Sequence, residues 1–269
     1  MKIQKLFSLK NKNIVLTGSA GRLGTQFAHI LSKAGANIIL VDIDETDNKI
    51  LEQNLKKQYK TQPKSYQIDI SNQNEVEKLS FQLIKDYKTI YGLINNAFYS
   101  PLQNTEKAAL PFEKFPHELW NQMLNVNLTG VFLCSKEIGK IMINQKEEGV
   151  IVNISSIYGI SGADQRIYGK SKLNSSIAYA ATKGGIVNMT RYLAAYWQKK
   201  NIRVNTLTLG AVLDKYMDKE FIKNYEQKTM LGRMGNKEEF GPALLFLMSN
   251  ASSYMTGANL VIDGGWTAW

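Results

Sequence analysis

The sequence predicts an α/β fold: a doubly wound, mostly parallel sheet with helices on both faces. Three observations carry this expectation. Short apolar runs of strand length alternate with segments of helical periodicity along nearly all of the 269 residues. A glycine-rich loop joins the first apolar run to the first helical segment. Polar side chains, Thr17, Asp42, Asp69 and Asn95, close four of the runs, at the strand ends where such sheets collect ligands.

Taken in order, Asn13–Thr17 (Asn-Ile-Val-Leu-Thr) reads as a short buried strand. The loop Gly18-Ser-Ala-Gly21-Arg22-Leu23-Gly24 follows, then a helical pattern through Phe27, Ile30 and Leu31 that Gly35 ends. Residues 36–41 form a second apolar strand closing on Asp42, 18 residues after the last loop glycine. Strand, glycine loop, helix, strand and acid together predict dinucleotide binding. Glycines let the backbone turn tightly and approach a pyrophosphate at a helix N-terminus, and the acid reaches a ribose 2′-hydroxyl.

The alternation continues with a helix at 46–60, a strand at 64–68 leading into Asp69-Ile70, a helix at 72–87 and a strand at 91–95 followed by Asn96-Ala97. Residues 98–116 are a polar loop containing Pro101, Pro111 and Pro116. A long helix then runs to about residue 145 and carries Asn127, a buried amide that needs partners. Gly149–Ser156 is a strand, residues 161–178 a polar, aperiodic segment, and the next helix runs to about residue 200. Residues 202–207 form a strand, 211–235 a mobile segment with a short helix, and 237–249 a helix. Asn259–Ile262 is the seventh and last strand. There is no internal repeat, low-complexity tract or linker, so one domain over residues 1–269 is expected.

Composition narrows the function classes. Hydrophobic residues make up 44% and charged residues 21%, values of a globular chain. No apolar run reaches the ~18 residues that cross a bilayer, and the first ten residues hold no signal-peptide core. The single cysteine, Cys134, excludes an internal disulfide and fits a reducing cytosol, so a cytoplasmic protein is expected. With two histidines and one cysteine, no metal site is expected. The net charge of +10 is spread over scattered lysines, which reads as a solvated surface rather than a nucleic-acid interface.

The catalytic candidate is Tyr179-Ala-Ala-Thr-Lys183. A tyrosine and a lysine four apart share one helix face, one turn apart. A neighbouring ammonium stabilises a phenolate, making the pair a general acid and base for a hydroxyl or carbonyl.

With these elements in place, the chain resembles the short-chain dehydrogenase/reductases over nearly its whole length. The resemblance rests on Thr17-Gly18 with the glycine loop, Asp69, Asn95-Asn96-Ala97, Asn127, Ile154-Ser155-Ser156, Tyr179 with Lys183, Arg203-Val204-Asn205 and Val261-Ile262-Asp263-Gly264-Gly265. It implies a Rossmann-type sheet, hydride transfer with NAD or NADP, a homodimer or homotetramer, and a catalytic set of Asn127, Ser156, Tyr179 and Lys183. In those roles Tyr179 exchanges the proton, Lys183 lowers its pKa and bonds the nicotinamide ribose, Ser156 donates to the substrate oxygen, and Asn127 holds a water. Gly18, Gly21, Arg22, Leu23, Gly24, Asp42, Asp69, Ile70, Asn96, Ala97, Gly210 and Val212, with Tyr179 and Lys183, are the implied cofactor contacts.

Five positions depart from the family pattern. Arg22 takes the place of the middle loop glycine, a spacing shared with the sugar-nucleotide-modifying branch. Phe98 replaces the glycine after Asn-Asn-Ala, Leu209 replaces the proline before Gly210, and Asp214 stands where a threonine often holds the carboxamide. Ser156 and Tyr179 are 23 apart, and the extra residues contain a rival pair, Tyr168 with Lys172. Tyr179 is the better candidate because a continuous amphipathic helix follows it, whereas Gly159, Gly162 and Gly169 oppose a helix through Tyr168. The polar insertion, with Arg166, Lys170, Lys172 and Asn174, suggests a hydrophilic, sugar-like substrate. Asp42 favours NAD and Arg22 favours NADP; the acid meets the 2′ position directly, so NAD is expected. A silent dinucleotide-binding protein, or a reductase of a non-sugar ketone or 3-oxoacyl substrate, is the alternative.

Overall fold

The computed structural model describes residues 3–100, 110–145, 147–170 and 174–269. Seven strands form one parallel sheet: β1 Asn13–Thr17, β2 Asn37–Asp42, β3 Lys64–Gln67, β4 Gly92–Asn95, β5 Gly149–Ser156, β6 Ile202–Leu209 and β7 Asn259–Ile262. Their order is β3-β2-β1-β4-β5-β6-β7. The order reverses between β1 and β4, whose register pairs Val15 with Leu93 and Leu16 with Ile94. A crevice therefore opens at the carboxyl ends of these two strands.

Alternating side chains build two cores. Ile14, Leu16, Ile38, Leu40, Val150 and Val152 point to one face. There they meet α2 (Arg22–Lys33), α3 (Glu45–Gln58) and α9 (Gly241–Met248) through Phe27, Leu31, Leu51, Leu55, Leu244 and Met248. Val15, Ile39, Val41, Leu93 and Ile151 point to the other. That face is covered by α4 (Gln73–Asp86) and α6 (Gly130–Gln145), through Val76, Leu79, Leu83, Leu133 and Ile138. Every residue of β4, β5 and β6 is buried, as expected for central parallel strands, whereas β3 at the edge is half exposed.

The remaining α-helices among the described residues are α1 (Ile3–Leu6), α5 (His117–Leu124), α7 (Ile177–Tyr196) and α8 (Lys219–Glu226). Two expectations need correction. The long helix ending near residue 145 is α5 and α6 joined by a π-turn over Asn125–Thr129. The helix expected over 237–249 is a 3₁₀ turn at Lys237–Glu239, then α9 starting at Gly241 with Pro242 in its first turn, where its missing N–H costs nothing. No helix among the described residues is long and apolar enough to cross a membrane.

Candidate active site

The loop between β1 and α2 is built for a close backbone approach. Gly18 has φ +65°, and a Cβ there would lie 2.6 Å from the Ala97 Cα. A Cβ on Gly24 would fall 2.0 Å from the Gly18 carbonyl oxygen. Thr17 ties β1 to β4: its Oγ1 donates to Ile94 O (3.3 Å) and accepts the N–H groups of Asn96 (3.1 Å) and Ala97 (3.2 Å). Asn96 returns two bonds, to the carbonyls of Thr17 (3.0 Å) and Gly18 (2.9 Å).

Helices α3, α4, α7 and α8 are capped by the side chains of Asp44, Asn72, Ser176 and Asp218. Helix α2 has no side-chain cap; Gly21 stands at its N-cap. Its first-turn amides thus remain for a ligand, the arrangement that holds a diphosphate. Asp42 ends β2 and accepts the Ala20 N–H at 2.8 Å and the Asp44 N–H at 3.0 Å. Its carboxylate is thereby fixed beside the loop.

The other predicted cofactor contacts line the same crevice or support it. Asp69 accepts from the Ser71 N–H (2.9 Å) and hydroxyl (2.7 Å), while Ile70 is buried. Leu23 packs on the core of its own sheet face. The Gly210 N–H donates to Ile262 O at 2.9 Å, and buried Val212 bridges to Gly235. The Arg22 guanidinium pairs with Asp214 and donates to Val212 O at 3.3 Å. The glycine cradle, the uncapped helix and the carboxylate at the end of β2 fit a nicotinamide dinucleotide.

The catalytic candidates meet one strand away. Ser156 ends β5, and its Oγ accepts the Tyr158 N–H at 3.3 Å. Tyr179 stands in the first turn of α7, where its N–H caps onto Ser176 Oγ at 3.1 Å. Lys183 follows one turn later and is buried, its Nζ donating to Ile154 O at 2.9 Å. That Nζ is 5.7 Å from both the Tyr179 and the Phe98 ring centroids.

Burial pushes the Tyr179 phenol above its ordinary value, and a hydrogen bond with Ser156 works against that rise. Burial also lowers the Lys183 ammonium from 10.5 to about 8. Burial is thus the largest influence on both groups, and the Lys183 ammonium is turned to a carbonyl. Asn127 sits in the π-turn, a device common at functional sites. Its carboxamide accepts the Tyr99 N–H (2.6 Å) and donates to Tyr99 O (2.9 Å), so it braces the chain beyond β4.

The rival Tyr168 packs beside the site, behind Tyr158, which lies edge-on to Tyr179. Tyr168 stacks on Phe221 with ring centroids 5.2 Å apart and shares a hydrogen bond with Tyr158; Lys172 lies outside the described residues. The insertion packs on the 211–235 segment through Asn224 Nδ2 to Ile167 O (3.2 Å), Lys170 N–H to Glu220 (3.4 Å) and Lys228 to Asp164 (2.9 Å). The Arg166 side chain, 81% exposed, turns back onto Asp164 at 2.8 Å. Asn174 donates to Leu110 O at 2.8 Å.

Three groups escaped the sequence reading. Asn153, Thr190 and Thr206 extend Asn95, already singled out at the end of β4, into a buried chain of hydrogen bonds joining β4, β5, α7 and β6 beneath the catalytic candidates. Tyr158, Tyr225 and Trp266 make an aromatic wall behind the insertion, with Tyr225 and Trp266 stacked at 4.3 Å. Buried Asn48 bonds Ser19 Oγ at 2.6 Å and so braces the glycine loop. Only Tyr158, two residues after Ser156, carried a positional hint.

Comparison with known proteins adds to this geometry. Residues 18–267 match a family model described as enoyl-(acyl carrier protein) reductase. The chain is 33% identical to the NAD-dependent glycerol dehydrogenase of Listeria innocua, over 98% of this chain and 96% of that one. A short-chain dehydrogenase from Leptospira borgpetersenii with bound NAD⁺ is 35% identical and superposes with a TM-score of 0.84, covering 96% of this chain and 93% of that one. A gluconate 5-dehydrogenase from Burkholderia cenocepacia, in complex with NADP and tartrate, is 26% identical with a TM-score of 0.86, covering 99% of each chain.

Proposed function

Since this chain belongs to the short-chain dehydrogenase/reductase family, we propose that it interconverts a secondary alcohol and a ketone on a polar, polyol- or sugar-like substrate, with NAD as its preferred cofactor. The observation that carries the reading is the convergence of Ser156, Tyr179 and Lys183 beside a glycine cradle at the carboxyl edge of the sheet. The glycerol and gluconate dehydrogenases among its relatives support the substrate class.

A bound nicotinamide dinucleotide supplies or accepts the hydride. The first-turn amides of α2 would hold its diphosphate, Asp42 its adenosine ribose, and Lys183 its nicotinamide ribose. Ser156 donates to the substrate oxygen as charge develops there. Tyr179 gives its proton to that oxygen in ketone reduction and takes one from the alcohol in oxidation. Lys183, buried and cationic below about pH 8, favours the phenolate that forms when Tyr179 gives its proton. Asn127 holds the segment after β4 in place through Tyr99.

A second reading, a reductase of a non-sugar ketone or 3-oxoacyl substrate, draws on the rings around Tyr179. Phe98 and Tyr158 lie 6.4 Å away edge-on, and Tyr99 and Trp120 pack nearby. Screening polyols, sugars, sugar acids and 3-oxoacyl thioesters with both cofactors, by absorbance of the reduced nicotinamide, tests the two. Turnover of acyl thioesters alone overturns the sugar reading. A homodimer or homotetramer belongs to the same proposal, supported by exposed Phe132, Tyr192 and Tyr196 on α6 and α7; light scattering checks it.

A further inference from the structure

Two of the departures from the family pattern meet in space although 192 positions separate them. Arg22, in place of the middle loop glycine, pairs with Asp214, in place of the threonine. Arg22 opens α2 on the β1 side of the crevice, and Asp214 follows β6. In the sheet β4 and β5 lie between these strands, so the pair bridges the carboxyl edge across the crevice. The segment it captures is already ordered by backbone bonds. The Leu213 N–H donates to Gly235 O at 2.8 Å, and the Gly235 N–H donates to Ala211 O at 3.0 Å. Asp214 also accepts the Tyr216 N–H at 3.0 Å.

We propose that Arg22 and Asp214 are a positioning pair that holds residues 211–217 closed over the diphosphate half of the bound dinucleotide and slows its release. The proposal rests on the dinucleotide reading above. A glycine at position 22 would leave no side chain to span the crevice, and a threonine at 214 no charge to receive it. The Arg22 guanidinium also donates to Val212 O at 3.3 Å, so it holds the segment at two points, one side chain and one backbone carbonyl. The side chains are 40% and 28% exposed, so the contact opens at modest cost and suits a group that must part once per turnover.

The test is release of NADH or NADPH, whichever binds more tightly, followed by stopped-flow fluorescence on the full chain. Asp214→Asn, Arg22→Gln and the double variant are compared with wild type. We expect each single variant to speed release by roughly three- to fivefold with association nearly unchanged. In the Arg22→Gln background, Asp214→Asn should add nothing. Hydrogen exchange without dinucleotide should show the Leu213 and Gly235 amides losing protection in both single variants. Unchanged release in Asp214→Asn, or additive effects in the double variant, overturns the pair while leaving the dinucleotide site standing. Absence of any dinucleotide binding in wild type overturns the dinucleotide reading, and the pair with it.

Discussion

Lys183→Met should stabilise the protein while destroying its activity. The wild-type ammonium is buried, and its pKa falls from 10.5 to about 8, which corresponds to about 3 kcal/mol of cost for holding the charge there. Methionine keeps most of the volume and carries no charge. It leaves the Ile154 carbonyl without its 2.9 Å donor, a loss of about 1–2 kcal/mol. The net gain is about 1–2 kcal/mol, or a rise in Tm of about 2–6 °C for a chain of this size. The sign with pH follows from the lowered pKa. The burial cost is complete below about pH 8, where folded and unfolded chains are both protonated. It lifts as pH rises from about 8 to 10.5, where only the unfolded chain keeps the proton. Thermal unfolding of both proteins at neutral pH and near pH 10, without cofactor, measures this directly. The variant's advantage should shrink at high pH. A lower Tm at neutral pH, or an advantage that does not change with pH, would refute the reasoning, because Lys183 would then not be a strained buried cation.

Other outcomes follow from the same geometry. Tyr179→Phe should lower kcat by at least about a thousandfold with cofactor affinity nearly intact, since only the hydroxyl is lost, whereas Tyr168→Phe should leave turnover within about tenfold; the reverse ranking would restore the rival pair. In the direction of ketone reduction, kcat should fall as pH rises through about 8, where Lys183 gives up its proton; a flat profile from 7 to 9 counts against its role. Asp42→Ala should relax the preference for NAD over NADP by roughly one to two orders of magnitude in kcat/KM, about the worth of a charged contact, and a wild type that prefers NADP would sink the assignment. Gly169→Ala should lower Tm, because φ is +52°, a left-handed backbone that an alanine adopts only with strain. Arg166→Ala, whose partner is the local Asp164, should change neither Tm nor KM for substrate; a raised KM with unchanged Tm would instead put Arg166 on the substrate.

The alternation of strands and helices, the glycine loop and the Tyr179–Lys183 spacing were all legible in the chain, for a common physical reason. Each is local: strand burial, a left-handed glycine and an i,i+4 pair are set by neighbours within a few residues. Gly149–Ser156 and Asn259–Ile262 fall where the pattern of apolar residues places them. The π-turn at Asn127 was not legible, because one extra backbone residue in a helix leaves the apolar periodicity almost unchanged. Nor was the split before α9, where a 3₁₀ turn and an α-helix share the same spacing over so few residues.

What the tertiary structure alone decided concerns partners distant in sequence. Arg22 read as a phosphate ligand until the fold brought Asp214 to it. The chain left open what Arg166 and the rival Tyr168 touch; the fold pairs Arg166 with Asp164 of the same insertion, stacks Tyr168 on Phe221, and packs the insertion on the segment around Glu220. Tyr179 and Lys183 are both buried, and burial is the largest influence on the charge state of each. The chain determined which residues are candidates for the site, because those choices rest on short-range geometry. Their charge states and partners depend on dielectric surroundings and on contacts across the sheet, which exist only once the strands are ordered.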